Sequence, residues 1–151
     1  MSIYIDADAC PVKDEVYKVA LRHTTKVYVV ANSLMRVPRE PLIELVVVRG
    51  GFDSADDWIV ERIELDDVAV TTDIPLADRC LQKGARVLGP KGHVFTEETI
   101  GEALATRALL EMLRQSDVIG GGPAPFAKED RSRFLSKLDD ILHAIQRKRP
   151  R

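Results

Sequence analysis

Five short runs of strand-forming residues, most of them separated by segments with helical spacing, constrain this chain more than any other feature. The runs are Ile3 to Ile5, Lys26 to Ala31 (KVYVVA), Glu44 to Val48 (ELVVV), Asp67 to Thr72 (DVAVTT) and Ala85 to Leu88. They are apolar along nearly their whole length rather than alternating, which is the pattern of strands buried on both faces in a parallel sheet. Helical spacing follows three of them. Val12, Val16, Val19 and Ala20 share one face after Cys10-Pro11, and Ala55, Ile59 and Ile63 share one between Asp53 and about Leu65. A third helix starts at Asp73, carries Pro75 in its first turn and stops at Gly84. Between the second and third strands, Pro38 and Pro41 disfavour a helix. Thr96 to Thr99 opens a longer helix to about Gln115 through Ile100, Leu104 and Ala108, and a last helix spans about Lys128 to Arg147. The expected fold is α/β: a single three-layer unit with a five-stranded parallel sheet, helices on both faces and further helices at the C-terminus.

A chain of 151 residues suits one such unit, with residues 1–117 as its α/β body. Residues 118–151 then form a glycine- and proline-rich loop, a last helix and a basic tail belonging to the same domain. The loop around Gly120 to Phe126 reads equally as a lid or a linker. With no apolar run near the roughly 20 residues of a membrane span and no secretory pattern at Met1 to Asp6, the expectation is a cytoplasmic protein without a membrane partner. Cys10 and Cys80 should then be reduced, Cys10 as a structural thiol, since the neighbouring acids oppose a thiolate. Two cysteines and three scattered histidines, His23, His93 and His143, suggest no zinc cluster and no histidine catalyst, so any metal is expected on oxygen ligands.

The acids are placed unevenly. Residues 1–75 carry a net charge of −6 and residues 76–151 one of +4. In an open parallel sheet, ligands bind outside the carboxyl ends of the strands. Asp6 and Asp8 follow the first strand, Asp53, Asp56 and Asp57 follow the third after Gly50-Gly51, and Asp73 follows the fourth, with Asp78 in the next helix. Carboxylates gathered at one edge repel unless a cation neutralises them, and oxygen-only sets suit Mg²⁺ or Mn²⁺. Such sites generate hydroxide and clamp phosphate oxygens. A plainer reading stands beside this one: Asp53 and Asp73 as helix caps, and one of Asp56 and Asp57 as a complement to the helix dipole. Hydroxyls and amides at strand ends, Asn32, Ser33, Thr71 and Thr72, with the basic Lys91 and Arg131, are candidates for holding a phosphate-bearing substrate. Neither a P-loop nor Gly-x-Gly-x-x-Gly occurs in a nucleotide-binding position, so no dinucleotide cofactor is expected.

These motifs resemble a known family. IYIDADACPVK (3–13), GFDSADDWI (51–59), DVAVTTDIPL (67–76), GARVLGPKG (84–92) and GGPAPFAKEDRS (121–132) look like the YaiI/YqxD family of bacterial proteins, over nearly the whole chain. That family is in turn similar to PIN-like and NYN nucleases, which hold Mg²⁺ or Mn²⁺ on strand-end aspartates and cut RNA. The resemblance implies a PIN-like fold and a metal-dependent nuclease. Asp6 matches the first-strand acid, Asp53 and Asp57 the helix acids, and Asp73 the acid after the fourth strand. Pro75 stands where NYN patterns place a second acid, a position Asp78 would have to cover. The expected assignment is metal on Asp6, Asp57, Asp73 and Asp78, with Asp8 or Asp53 as base or outer ligand. Two alternatives stay open. Asp6-Ala7-Asp8 also resembles the nucleophile pair of haloacid-dehalogenase-type phosphatases, although Lys83, at a helix end, is poorly placed for that chemistry. A non-catalytic nucleic-acid-binding domain would rely instead on Arg36, Arg39, Lys91, Arg131, Arg133 and the tail Arg147 to Arg151.

Overall fold

Strand β1 (Ser2–Asp6) lies at the centre of the sheet because each of its faces has a helical layer to bury against. In a computed structural model of the chain, which describes residues 1–51, 53–102, 105–106 and 126–148, it pairs in parallel with β2 (Lys26–Ala31) on one side and β4 (Val68–Val70) on the other. Beyond β2 lies β3 (Ile43–Val47), and beyond β4 lies β5 (Arg86–Leu88), both again parallel. A two-residue strand, β6 (Val94–Phe95), closes the edge antiparallel to β5, giving the order β3-β2-β1-β4-β5-β6. The five parallel strands are those the sequence anticipates. The sixth escapes it because two residues between Gly92-His93 and Thr96 show no periodicity.

Alternation along the strands divides the interior into two cores. Ile3 and Ile5 face α1 (Lys13–Arg22) and the C-terminal helix, packing with Val16, Val19, Phe134, Leu138 and Leu142. Tyr4, Ala69 and Val87 face the opposite way, onto Ala55, Ile59, Leu76 and Cys80 of α2 (Ser54–Arg62) and α3 (Ile74–Gln82). Residues 97–102 are helical and form the start of α4, and Lys128–Lys148 is α5. The long helix expected to Gln115, the glycine-rich loop before Phe126 and the last three residues of the basic tail fall partly or wholly outside the described residues. No described helix is long and apolar enough to cross a membrane.

Local chemistry sets the boundaries. Gly84 ends α3 at φ +84°, a left-handed conformation in which a Cβ would meet Leu65 Cδ1 at 2.9 Å. Residues 32–42 run irregularly from β2 to β3, as the two prolines require. The stretch from Asp6 to α1 is a 3-10 turn over Ala7–Ala9, pinned by Lys13, whose Nζ donates to the carbonyls of Ala7 (3.0 Å) and Cys10 (2.6 Å). Asp67, expected in the fourth strand, instead precedes β4 and accepts from the backbone N–H groups of Ser2 and Glu64. It is a structural acid at the amino edge of the sheet.

Candidate functional site

The order of connection reverses between β1 and β4. Chain leaving β1 goes to β2 and β3 on one side, and chain leaving β4 goes to β5 on the other. Loops diverging from neighbouring strands open a crevice at their carboxyl ends. That crevice is a cleft of about 240 Å³ lined by Asp6, Asp8, Asn32, Asp53, Asp56 and Asp73, together with Ala55. Acids from three chain segments, five in all, therefore line one cleft, with no three of them bringing carboxylate oxygens within 4.8 Å of one another.

Each is held differently. Asp6 ends β1, and its Oδ2 accepts from Thr71 Oγ1 at 2.9 Å; the same Thr71 oxygen accepts from the backbone N–H of Asp73 at 2.9 Å. Asp8 accepts from the backbone N–H of Asn32, at 3.1 Å through Oδ2. Asp73 caps α3, its Oδ1 accepting from the N–H of Leu76 at 2.9 Å. Asp53 occupies the N-cap position of α2 but makes no capping hydrogen bond, and it sits in the left-handed region at φ 67°. The capping interpretation thus holds for Asp73 and fails for Asp53, whose strained backbone turns an uncommitted carboxylate into the cleft.

Asp56 and Asp57 follow each other on α2, so their side chains diverge by about 100°. Asp56 lines the cleft, whereas Asp57 points outward and pairs with Arg79 at 3.0 Å. Asp78 accepts from Gln82 Nε2 at 3.2 Å, one turn along α3, and does not line the cleft. Of the expected ligand set, Asp6 and Asp73 line the cleft and Asp57 and Asp78 do not, whereas Asp56 does. Sequence spacing could not choose between adjacent helical acids; the angle at which α2 docks decided it.

Crowding shows in the protonation of the cleft. Burial raises the carboxyl of Asp6 above its ordinary value, with Asp73 and Asp8 adding to the effect and the Thr71 hydrogen bond opposing it. Burial also raises Asp56, to about 6, reinforced by Asp73, Asp6 and Asp53 and opposed by Arg79. A carboxyl whose pKa is higher in the folded than in the unfolded chain contributes stability below its unfolded value of 3.8 and loses it as pH rises through 6. Asp56→Asn should therefore stabilise the metal-free protein at pH 7.5. The expected gain is about 1 kcal/mol once solvent screening of this partly exposed group is allowed for, or roughly 2–4 °C in the melting midpoint. The gain should vanish at pH 4; an unchanged midpoint at pH 7.5 would contradict the crowding. The thiols stand apart from this chemistry. Burial pushes Cys10 up to about 11 and Cys80 to about 12, so both are inert at neutral pH.

A second hollow, of about 310 Å³, is lined by Thr71, which links it to the cleft by donating a hydroxyl hydrogen bond to Asp6. Thr72, Lys91, His93, Phe95 and Phe126 line it, with His93 edge-on to Phe95 at 4.9 Å between ring centroids. Ser33 is exposed and lines neither space. Arg131 is committed to structure: it donates to the Pro11 carbonyl at 2.8 Å, pairs with Glu15 and covers the Phe126 ring. Lys13, which pins the loop bearing Asp8, is the residue at this site that sequence reasoning overlooked, because its role depends on a turn with no sequence signature.

The fold and this cleft define a class: an α/β protein with a carboxylate cluster at the topological switch of a mostly parallel sheet. The chain belongs to the family described as "Uncharacterized BCR, YaiI/YqxD family", whose profile matches residues 4–144. It is 55% identical over 153 residues to a UPF0178 protein of Rhodospirillum centenum, covering 99% of each chain. It is 56% identical to one from Bradyrhizobium diazoefficiens (97% of this chain, 88% of the relative) and 56% identical to one from Paramagnetospirillum magneticum (96% of each). No solved structure matches the chain.

Proposed function

We propose that the protein is a Mg²⁺- or Mn²⁺-dependent hydrolase of phosphodiesters acting on RNA, with a PIN-like arrangement of its acids. The observation that carries this reading is that Asp6, Asp8, Asp53, Asp56 and Asp73 line one cleft, with the carboxyls of Asp6 and Asp56 raised by burial and, less, by their acidic neighbours. An oxygen-only donor set of excess negative charge fits a hard divalent cation, which relieves the repulsion. Asp6, Asp56 and Asp73 would hold the cation, which supplies Lewis acidity toward water and a phosphate oxygen. Thr71 orients the carboxylate of Asp6 and, through its bond to the Asp73 backbone, keeps the start of α3 in place. Asp8, oriented by the Asn32 N–H, and Asp53, free of any cap bond, are placed to accept the proton of the attacking water. The neighbouring hollow, lined by Pro11, His93, Phe95 and Phe126, gives a base flanking the scissile phosphate a largely apolar surface to rest on. That hollow favours a nucleic acid over a small phosphomonoester. Lys83, at the far end of α3 from the cleft, does not complete a phosphatase set.

The deciding experiment is incubation of the metal-stripped protein with end-labelled single-stranded RNA and with a chromogenic phosphomonoester, with and without Mn²⁺. Cleavage of RNA alone, dependent on Mn²⁺, is the expected result. Hydrolysis of the ester, or a beryllium fluoride adduct at Asp6, would establish the phosphatase chemistry instead, and RNA binding without cleavage would make the domain a binding module.

A further inference from the structure

His23 and His143 are remote in sequence, and the fold brings them together. His23 follows the last turn of α1, with its side chain almost entirely buried, and meets His143 of α5 edge to face at 4.5 Å between ring centroids. Asp139 lies one turn before His143 on the same face of α5; its Oδ1 is 2.7 Å from His23 Nε2 and its Oδ2 is 3.5 Å from His143 Nε2. Among the described residues, only these three bring candidate ligand atoms all within 4.8 Å of one another; the acids of the cleft stand further apart.

A second observation concerns the direction of the lone pairs. Gln146 donates from Nε2 to the His23 backbone carbonyl at 3.3 Å, which turns its Oε1 toward His23 Nδ1 at 3.0 Å. An amide oxygen in that position requires a hydrogen on Nδ1. In the neutral ring the lone pair is then on Nε2, aimed straight at the carboxylate of Asp139. Two lone-pair-bearing atoms at 2.7 Å need a positive centre between them, a proton or a metal ion. Outer hydrogen bonds of this kind, which set the tautomer of a histidine, are what orient metal-ligating imidazoles.

We propose that His23 Nε2, the Asp139 carboxylate and His143 Nε2 form a binding site for a borderline divalent transition metal, Zn²⁺ foremost, with Gln146 holding the His23 ring. A tetrahedral Zn²⁺ with bonds of 2.0–2.1 Å spaces its ligand atoms by about 3.3 Å; one ligand atom from each of the three residues already lies within 4.8 Å of the others, so rotation of the exposed His143 side chain closes the set around an ion. His143 is more than half exposed, which leaves the fourth position to water. Arg22 contacts Asp139 Oδ1 at 3.4 Å and competes for it, but its own side chain is also more than half exposed and free to turn into solvent. The site lies where α1 gives way to β2, at the amino edge of the sheet, opposite the acid cleft. Its two nitrogens select against the hard cations that the cleft favours. Occupied, it ties α1 to α5.

The test is titration of the full-length, metal-stripped protein with Co²⁺ in millimolar Mg²⁺, read by visible d–d absorption, followed by displacement with Zn²⁺. One Co²⁺ should bind and yield to Zn²⁺. His143→Ala, an exposed substitution that leaves the fold intact by circular dichroism, should weaken binding by about tenfold or more. Gln146→Ala should weaken it about 10–100-fold, and Asp6→Asn should leave it unchanged. Zn²⁺ at about a hundredfold excess over its dissociation constant should raise the wild-type melting midpoint by about 5–10 °C and leave that of His143→Ala in place. No Co²⁺ binding at millimolar concentration, wild-type affinity in His143→Ala, or a loss with Asp6→Asn instead would each overturn the site.

Discussion

Asp6→Asn is expected to lower Mn²⁺-dependent RNA cleavage by about 10³-fold or more, roughly 4 kcal/mol of transition-state stabilisation. The expected size follows from position. Asp6 ends the central strand, its carboxyl is raised by burial and by Asp73 and Asp8, and its Oδ2 is held by Thr71, so it is the least replaceable of the acids in the cleft. Asparagine keeps the shape and the bond from Thr71 but removes the charge that a hard cation requires. Calorimetry should show Mn²⁺ affinity falling with the rate, while retention of RNA on a filter is unchanged, because losing a negative charge does not weaken attraction to phosphate. Asp57→Asn, which touches only the exposed pair with Arg79, should leave the rate within about twofold. Equal losses for Asp57→Asn and Asp56→Asn would remove the assignment of Asp56 to the cleft. Cleavage by Asp6→Asn at the wild-type rate would remove the catalytic reading altogether.

Phe134→Ala should cost about 3–5 kcal/mol, the range for deleting a fully buried aromatic ring. For a chain of this length that corresponds to a fall of about 6–20 °C in the melting midpoint. Phe134 is completely inaccessible to solvent and is the first large apolar residue in a stripe that continues through Leu138, Ile141, Leu142 and Ile145. This stripe is the face by which α5 enters the core of β1 and α1. Hydrogen exchange should show α5 losing protection before the sheet does, since the second core, on α2 and α3, shares none of these side chains. A midpoint lowered by less than about 2 °C would show that α5 is dispensable to the core. Mn²⁺ binding at the acid cleft should survive at low temperature, because none of its side chains comes from α5.

Much of this architecture was legible in the residues. Apolar runs at Lys26 to Ala31 and Ala85 to Leu88 announce buried strands because a sheet covered on both faces leaves no strand position for polar side chains, and the structure places β2 and β5 there. Gly84 marks the end of α3 because left-handed backbone favours glycine, and Pro38 with Pro41 mark an irregular connection because proline lacks the N–H a helix needs. That Asp6 and Asp73 line one cleft was legible from topology: Asp6 ends β1, Asp73 lies in the short turn from β4 into α3, and in a doubly wound sheet the carboxyl ends of neighbouring parallel strands open on one crevice. These inferences share one property, that the physics behind them is local or periodic and therefore written along the chain.

What only the tertiary structure decided depends on angles and on distant partners. Whether Asp56 or Asp57 enters the cleft is a rotation of about 100° about the axis of α2, set by how Ala55, Ile59 and Ile63 seat against the sheet. Whether a helix-start aspartate caps or stays free turned on the backbone around it, extended at Asp73 and left-handed at Asp53. β6 exists only because β5 offers it an open edge. The histidines illustrate the limit most clearly. His23 and His143 carry no shared motif, and each alone is an ordinary residue on its helix or just beyond it. Their juxtaposition across Asp139 arises because the apolar stripe of α5 docks on α1, a long-range packing event that no spacing in the sequence records.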